Sequence, residues 1–222
     1  MRELDFMKSI HSKTSRDYLA RVNDLDFPKW KAAELAKKFD FDYWDGDRRI
    51  NYGGYTYKPG YWTPVAERMI KIYQLNNDSK ILDIGCGKGY LLLEIRKLLP
   101  EIKYYGIDIS KYAIENSHIE VSKNLVVGNA IKLPWDNKTF DFAFSINTFH
   151  NLYSFELEQA FIEISRVSKQ QYICVESYRN ELEKMNLLYW QVTCESFFTP
   201  KEWQWWFNKT GFTGDYEFIY FE

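Results

Sequence analysis

The chain has 222 residues, 45% of them hydrophobic and 27% charged, which suffices for one full core with an appended cap. A net charge of −2 and a pI near 6.0 remove any global electrostatic case for a nucleic-acid polymer or an anionic membrane as partner. Three scattered cysteines, Cys86, Cys174 and Cys194, lack metal-ligand spacing, so no metal is expected and free thiols in a reducing cytoplasm are the reading.

The first residues carry no apolar run and no stretch is long enough to span a bilayer, so a soluble, cytoplasmic protein without a signal peptide is expected. Thr14 to Val22 reads as a short helix. A second helix follows from Pro28 to Phe39, where Ala32, Leu35, Ala36 and Phe39 fall at i, i+3, i+4 and i+7. This arm either packs for stability or closes over a site. Between 40 and 63 the aromatic residues show no period, and Gly53-Gly54 and Pro59-Gly60 force turns. Tyr52, Tyr55 and Tyr57 alternate there with Arg48, Arg49 and Lys58, as in a loop built to meet a polar ligand. Residues 1–63 are therefore read as a helical arm with an aromatic active-site loop, and 64–222 as the main domain.

A helix from Pro64 to Leu75 leads into a buried strand, Lys80 to Ile84, and the turn Gly85-Cys86-Gly87-Lys88-Gly89 opens a helix from Leu91 to Leu99. A strand that turns through glycines into a helix brings backbone close to a ligand, because no Cβ blocks the approach. The position after Gly89 is Tyr90, so neither G-x-G-x-x-G nor a phosphate-binding Lys-Ser/Thr loop is present. A second strand, Lys103 to Ile109, carries Asp108, 19 residues beyond Gly89, at the distance expected for a carboxylate that meets ribose hydroxyls. Next come a helix from Tyr112 to Ser122, a strand from Asn124 to Ala130, and a fourth strand from Asp141 to Asn147 that opens onto His150. A helix from Phe155 to Val167 precedes a fifth strand, Gln171 to Glu176, followed by Tyr178 and Arg179. Leu187 to Phe198 fits helix or strand. Thr199 to Gly211 is a capped helix, and one terminal strand spans Asp215 to Phe221.

The pattern Asp83-x-Gly85-x-Gly87-x-Gly89 at a strand end, with Asp108 and Asn129 on the next two strands, resembles the class I S-adenosylmethionine (SAM) methyltransferases from about Trp44 to the C-terminus. The resemblance implies an α/β, Rossmann-like doubly wound sheet with the N-terminal arm as a cap. It implies SAM as cofactor and S-adenosylhomocysteine as product. It places Asp83, Gly85, Cys86, Gly87 and Gly89 along the methionine and ribose part, Asp108 and Ile109 at the ribose, Asn129 and Ala130 at the adenine, and Asn147 at the end of the fourth strand. The family usually has Asp where Asn129 stands, and it closes its sheet with a β-hairpin, whereas one clear strand remains here.

The candidate general base is His150, with Glu176 as second choice. Asn147-Thr148-Phe149-His150 is not the Asn/Asp-Pro-Pro-Tyr of base-amino methyltransferases, and a small-molecule acceptor is expected. The stretch from Asp42 to Arg48, with Tyr52 to Tyr55 and Asn186 to Trp190, resembles a narrower bacterial group of small methyltransferases linked to surface-polysaccharide decoration. Within that group it is similar to the Campylobacter capsule enzymes that methylate a phosphoramidate. Arg48, Arg49 and Arg179 would then bind oxyanions, with Tyr52, Tyr55, Tyr57 and Tyr178 lining the acceptor site. A sugar or protein-carboxyl O-methyltransferase, or a SAM-binding regulator without catalysis, fits the same residues.

Overall fold

A computed structural model describes residues 1–11 and 16–222, so Thr14 and Ser15 of the first expected helix lie outside the described residues. The N-terminal arm holds four short helical segments, α1 (Lys8–His11), α2 (Ala20–Asn23), α3 (Lys29–Ala36) and α4 (Phe41–Trp44), followed by α5 (Thr63–Tyr73). The main domain then alternates β1 (Lys80–Ile84), α6 (Tyr90–Leu98), β2 (Lys103–Asp108), α7 (Lys111–Glu115), β3 (Leu125–Val127), β4 (Phe140–Ile146), α8 (Ser154–Val167), β5 (Ser168–Glu176), α9 (Glu181–Trp190), α10 (Pro200–Thr210) and β6 (Asp215–Ile219).

The six strands lie in the order β3-β2-β1-β4-β5-β6, and every neighbouring pair is parallel. Their near-continuous apolar sequences follow from this, because helices cover both faces of a parallel sheet. Ile81, Phe142 and Cys174 point toward α5, α6 and α9, whereas Leu82, Ala143 and Ile173 point toward α8 and α10. The strand order reverses between β1 and β4, and the crevice outside their carboxyl ends is where such sheets bind ligands.

Three expectations change. The helix expected from Tyr112 to Ser122 is only α7, five residues long, because the chain turns at Asn116 and reaches β3 through a 3-10 turn at Ser122–Asn124. The ambiguous stretch after Leu187 ends α9 at Trp190 and then runs as irregular chain, bent at Val192 and Thr193, to Thr199. No hairpin closes the sheet among the described residues. Instead the N-terminus covers the edge of β6: the Leu4 N–H donates to Tyr216 O at 2.8 Å, the Tyr216 N–H donates to Arg2 O at 3.0 Å, and Arg2 pairs with Asp215 at 2.7 Å. An exposed strand edge is a site of unwanted pairing, and this cover removes it.

Candidate active site

The turn after β1 places three glycines at φ of 82°, 52° and 78° (Gly85, Gly87, Gly89), a region that L side chains enter only with strain. The space that each glycine leaves is filled by protein. A Cβ on Gly85 would sit 1.9 Å from Thr148 Oγ1, one on Gly87 2.8 Å from the Trp44 ring, and one on Gly89 2.8 Å from Val121. The turn is held from β2: the Gly85 N–H donates to Ile107 O at 2.7 Å, and the Asp108 carboxylate accepts from the Gly87 and Ser110 N–H groups at 2.8 Å each.

Asp83 and Asp108 are both buried on one wall of a cleft of about 320 Å³. The Asp83 carboxyl group makes no hydrogen bond among the described residues, although its backbone pairs within the sheet. Burial, and then the neighbouring Asp108, raises its pKa well above the carboxylate range; burial also raises that of Asp108 against the pull of its two N–H donors. Two acidic groups on one wall, with no cationic partner among the described residues, suit a ligand whose positive charge would favour their ionised forms. The cation of the turn itself is spent elsewhere: Lys88 Nζ reaches both Asp45 oxygens at 2.6 and 2.8 Å and Tyr55 O at 2.9 Å.

The other wall is the arm. Trp44 donates Nε1–H to Ser110 Oγ at 2.9 Å, stacks on Tyr52 at 5.5 Å, and rests on Gly87. Tyr55 stacks on Tyr90 at 5.1 Å. Across the mouth, Lys37 at the end of α3 meets Glu195 beyond α9 at 2.5 Å. A segment distant in sequence thus covers the glycine turn and excludes water from it.

A family model described as "Methyltransferase domain" matches residues 75–211. The chain belongs to this methyltransferase family. It is 30% identical over 137 residues to the 24-methylenesterol C-methyltransferase 3 of Arabidopsis thaliana, covering 55% of this chain and 37% of that protein. It is 36% identical over 96 residues to the tRNA (carboxymethyluridine(34)-5-O)-methyltransferase of Saccharomyces cerevisiae, covering 43% of this chain and 31% of that one. The chain thus spans about a third of either relative. The YcgJ protein of Bacillus subtilis shares the fold, with a TM-score of 0.52 at 22% identity over 65% of this chain and 66% of that one. SAM is accordingly the methyl donor, and the acidic wall fits its sulfonium and ammonium charges.

Within the methyltransferase cleft, Gly85, Cys86 and Gly87 line the side of β1, Ile109, Asn129 and Ala130 the side of β2 and β3, and Asn147 the end of β4. Asn129 Oδ1 already accepts from the Ile131 N–H at 3.1 Å, which leaves one lone pair and the amide N–H₂ for a ligand in the cleft. Asn147 holds a left-handed φ of 55°, a local strain at the cleft wall. Tyr52 and Tyr55 line the cleft; Gly89 instead caps α6. Sequence reading passed over Lys37, Trp62, Tyr90, Asn151, Thr193 and Glu195, all of which line it. Their only sequence signal was the aromatic richness near Trp62 and Tyr90.

The remaining candidates lie elsewhere. His150 and Glu176 sit beneath the cleft, not on its wall. His150 Nδ1 accepts from the Glu176 N–H at 3.3 Å, and its Nε2 lies 3.5 Å from Glu176 Oε2. Burial pushes the His150 imidazole down to about 3 and the Glu176 carboxyl up to about 8, so both are uncharged at neutral pH. The His150 carbonyl accepts the Glu195 and Ser196 N–H groups, so this residue anchors the segment beyond α9. Arg49 pairs with Asp47 and Asp24, and Arg179 with Glu183 and Glu222, all outside the cleft. Tyr57 hydrogen-bonds Glu94 on α6, Tyr178 packs beside Lys184, and Arg48 lies at the surface by Tyr52.

Two outcomes are expected. Glu176 has a raised carboxyl pKa, so the folded protein keeps a proton that the unfolded chain releases, and stability falls as pH rises toward about 8. His150 acts oppositely, but only below its ordinary value of 6.5. Between pH 6.5 and 9 the protein should therefore lose roughly 2 kcal/mol through Glu176, and Glu176→Gln should abolish that loss. Chemical denaturation at both pH values tests this, and equal slopes for the two proteins would refute it. Lys88→Met strands the Asp45 carboxylate, which Lys88 and Tyr112 hold below the usual range despite burial. A loss of about 2–4 kcal/mol is expected, partly restored by adding Asp45→Asn. A thermal midpoint unchanged from wild type would show that the clamp carries no stability.

Proposed function

We propose that the protein transfers the methyl group of SAM to an oxygen of a small polar or anionic acceptor. The observation that carries this reading is the composition of the cleft beyond Asp83, which offers aromatic rings, hydroxyls and the Asn147 amide but no group poised to take a proton. His150 lies off the cleft wall with its pKa lowered by burial to about 3, which makes it a weak base, and Glu176 keeps its own proton at pH 7. The two further carboxylates on the wall are engaged, Glu156 with the Tyr153 N–H at the start of α8 and Glu195 with Lys37. When bound, SAM supplies an electrophilic methyl group. This chain's residues would hold the acceptor oxygen in line with it and keep water out, which suffices when that oxygen is already anionic.

A phosphoramidate of bacterial capsule synthesis is the acceptor class we favour, on the sequence resemblance of Asp42 to Arg48 and Tyr52 to Tyr55 and because its oxygen needs no base. The test is methyl transfer from labelled SAM to a nucleotide-linked phosphoramidate, beside sugar and carboxyl-peptide acceptors. Transfer to the phosphoramidate is expected. Labelling of peptides or sugars alone would overturn the acceptor class, and tight SAM binding without S-adenosylhomocysteine release from any acceptor would overturn catalysis.

A further inference from the structure

Charge around the C-terminal end of α9 is not balanced as it is elsewhere on the surface. Arg49 and Arg179, each exposed, are neutralised by carboxylates within 4 Å, as are Arg2, Arg68 and Arg166. Among the described residues Arg21 and Arg48 take part in no ion pair, yet both guanidinium groups lie over one ring, Trp190, at 5.0 and 5.9 Å from its centroid. Arg16 approaches the same ring at 5.6 Å. Lys29 comes close as well, with Nζ donating to Leu188 O at 2.6 Å. Burial, and then the proximity of Arg48, lowers the Arg21 pKa to about 10, and burial followed by Arg21 lowers that of Lys29.

A helix C-terminus attracts cations, and that accounts for part of the cluster. Arg21 donates to Trp190 O at 2.6 Å and to Arg49 O at 3.0 Å. It does not account for Arg48, which bonds no helix carbonyl and donates only to Asn51 O and, at 3.5 Å, to Tyr52 O. Among the described residues, Arg21 Nη2 and Arg48 Nε and Nη2 meet no acceptor. Like charges brought together on an aromatic platform, with forked donors unused, form a receptor for a tetrahedral oxyanion, which guanidinium groups can grip through paired N–H bonds. The cluster is also placed at the cleft: Tyr52, whose carbonyl faces Arg48, contributes its ring to the wall.

We infer that Arg21 and Arg48, seated on Trp190 at the cleft mouth, form an anion site that holds a phosphoryl group of the methyl acceptor outside the reacting centre. This rests on the proposed reaction and adds a recognition element to it. Arg49, two residues from Asp47, is not part of the site because its charge is already spent. The platform exists only because the arm, which carries Arg21, lies against α9.

Calorimetric titration of the whole protein, bound to S-adenosylhomocysteine, with inorganic pyrophosphate at low salt tests the site. Binding by wild type is expected, weakened at least tenfold by Arg48→Met and by Arg21→Met, and unchanged by Lys209→Met, which removes a positive charge elsewhere. Arg48→Lys should recover only part of the affinity, since the fork is lost. Arg48 is exposed, so its variants remain informative if Arg21→Met fails to fold. Affinity for S-adenosylhomocysteine should be equal in all folded variants. No pyrophosphate binding by wild type, or equal binding by Arg48→Met, overturns the site. In the transfer assay, pyrophosphate should compete with the acceptor; inhibition that excess acceptor does not relieve would mean free phosphate is the ligand, and would overturn the assignment to the acceptor. The two readings fail separately: pyrophosphate binding without any methyl transfer sinks the reaction and leaves an anion site, whereas transfer that is indifferent to Arg48 sinks the site alone.

Discussion

Asp108→Ala is expected to weaken the binding of S-adenosylhomocysteine by roughly 10–100-fold, or about 1.5–3 kcal/mol. Two losses combine in that figure. The first is the charged acceptor for ribose hydroxyls at the end of β2. The second is internal: the carboxylate takes the Gly87 and Ser110 N–H groups at 2.8 Å each, so its removal leaves two donors unpaired and frees the glycine turn. Asp108→Asn separates the terms. Its amide oxygen still accepts one N–H, but its amide N–H₂ opposes the other donor, so the turn is disturbed while the side-chain volume is kept. Affinity for Asp108→Asn should fall between wild type and alanine. Calorimetry with S-adenosylhomocysteine measures this, and wild-type affinity in the alanine variant would show that Asp108 does not meet the cofactor.

Gly85→Ala should lower stability by about 2–5 kcal/mol. Left-handed strain at φ 82° contributes about 1–2 kcal/mol. Overpacking adds about 1–3 kcal/mol, because the new methyl would lie 1.9 Å from Thr148 Oγ1 and 2.7 Å from Thr148 Cβ, both on a residue fixed at the end of β4. For a chain of this size the thermal midpoint should fall by roughly 4–20 °C. Adding Thr148→Gly should relieve the steric part and leave the backbone part. A single variant that melts with wild type would mean that β1 and β4 separate without cost at their carboxyl ends. The result also bears on function, since the same shift opens the cleft floor between Asp83 and Asn147.

The fold was largely legible from the chain because its signals are local. Apolar runs bounded by Gly and Pro mark buried strands, and their alternation with helices implies parallel pairing. That Asp83, Asp108 and Asn129 would share one wall was legible for a related reason. Asp83, Asp108 and Asn129 stand at the carboxyl ends of three successive strands, and parallel pairing alone brings those ends together. The helix after Asp108 was overextended because Tyr112 to Ser122 has helical composition, whereas His118 is drawn to Lys88, whose carbonyl accepts its N–H at 3.0 Å. The single terminal strand was legible, but what covers its edge was not, because that cover comes from the opposite end of the chain.

The acceptor side was the least legible. Arg49, Arg179 and Tyr57 have the right chemistry for an oxyanion, but chemistry is cancelled by partners: Asp47, Glu183 and Glu94 take up their donors. Arg21 drew no notice in the chain, since one arginine in a polar arm carries no pattern. His150 looked like a base on its residue type, yet burial without a charged partner lowers its pKa to about 3 and leaves it a weak one.

By itself, then, the sequence determined the parallel α/β sheet, the strand-to-helix glycine turn, and the acidic residues that share one wall of the cleft, because each depends on residues near one another in the chain or on strand order. Tertiary structure alone decided what the glycines make room for, which arginines keep unspent charge, that Lys37 and Glu195 bridge the mouth, and that His150 and Glu176 lie beneath the cleft. Those properties are set largely by burial and by neighbours from other parts of the chain, 26 residues apart for His150 and Glu176 and 158 for Lys37 and Glu195.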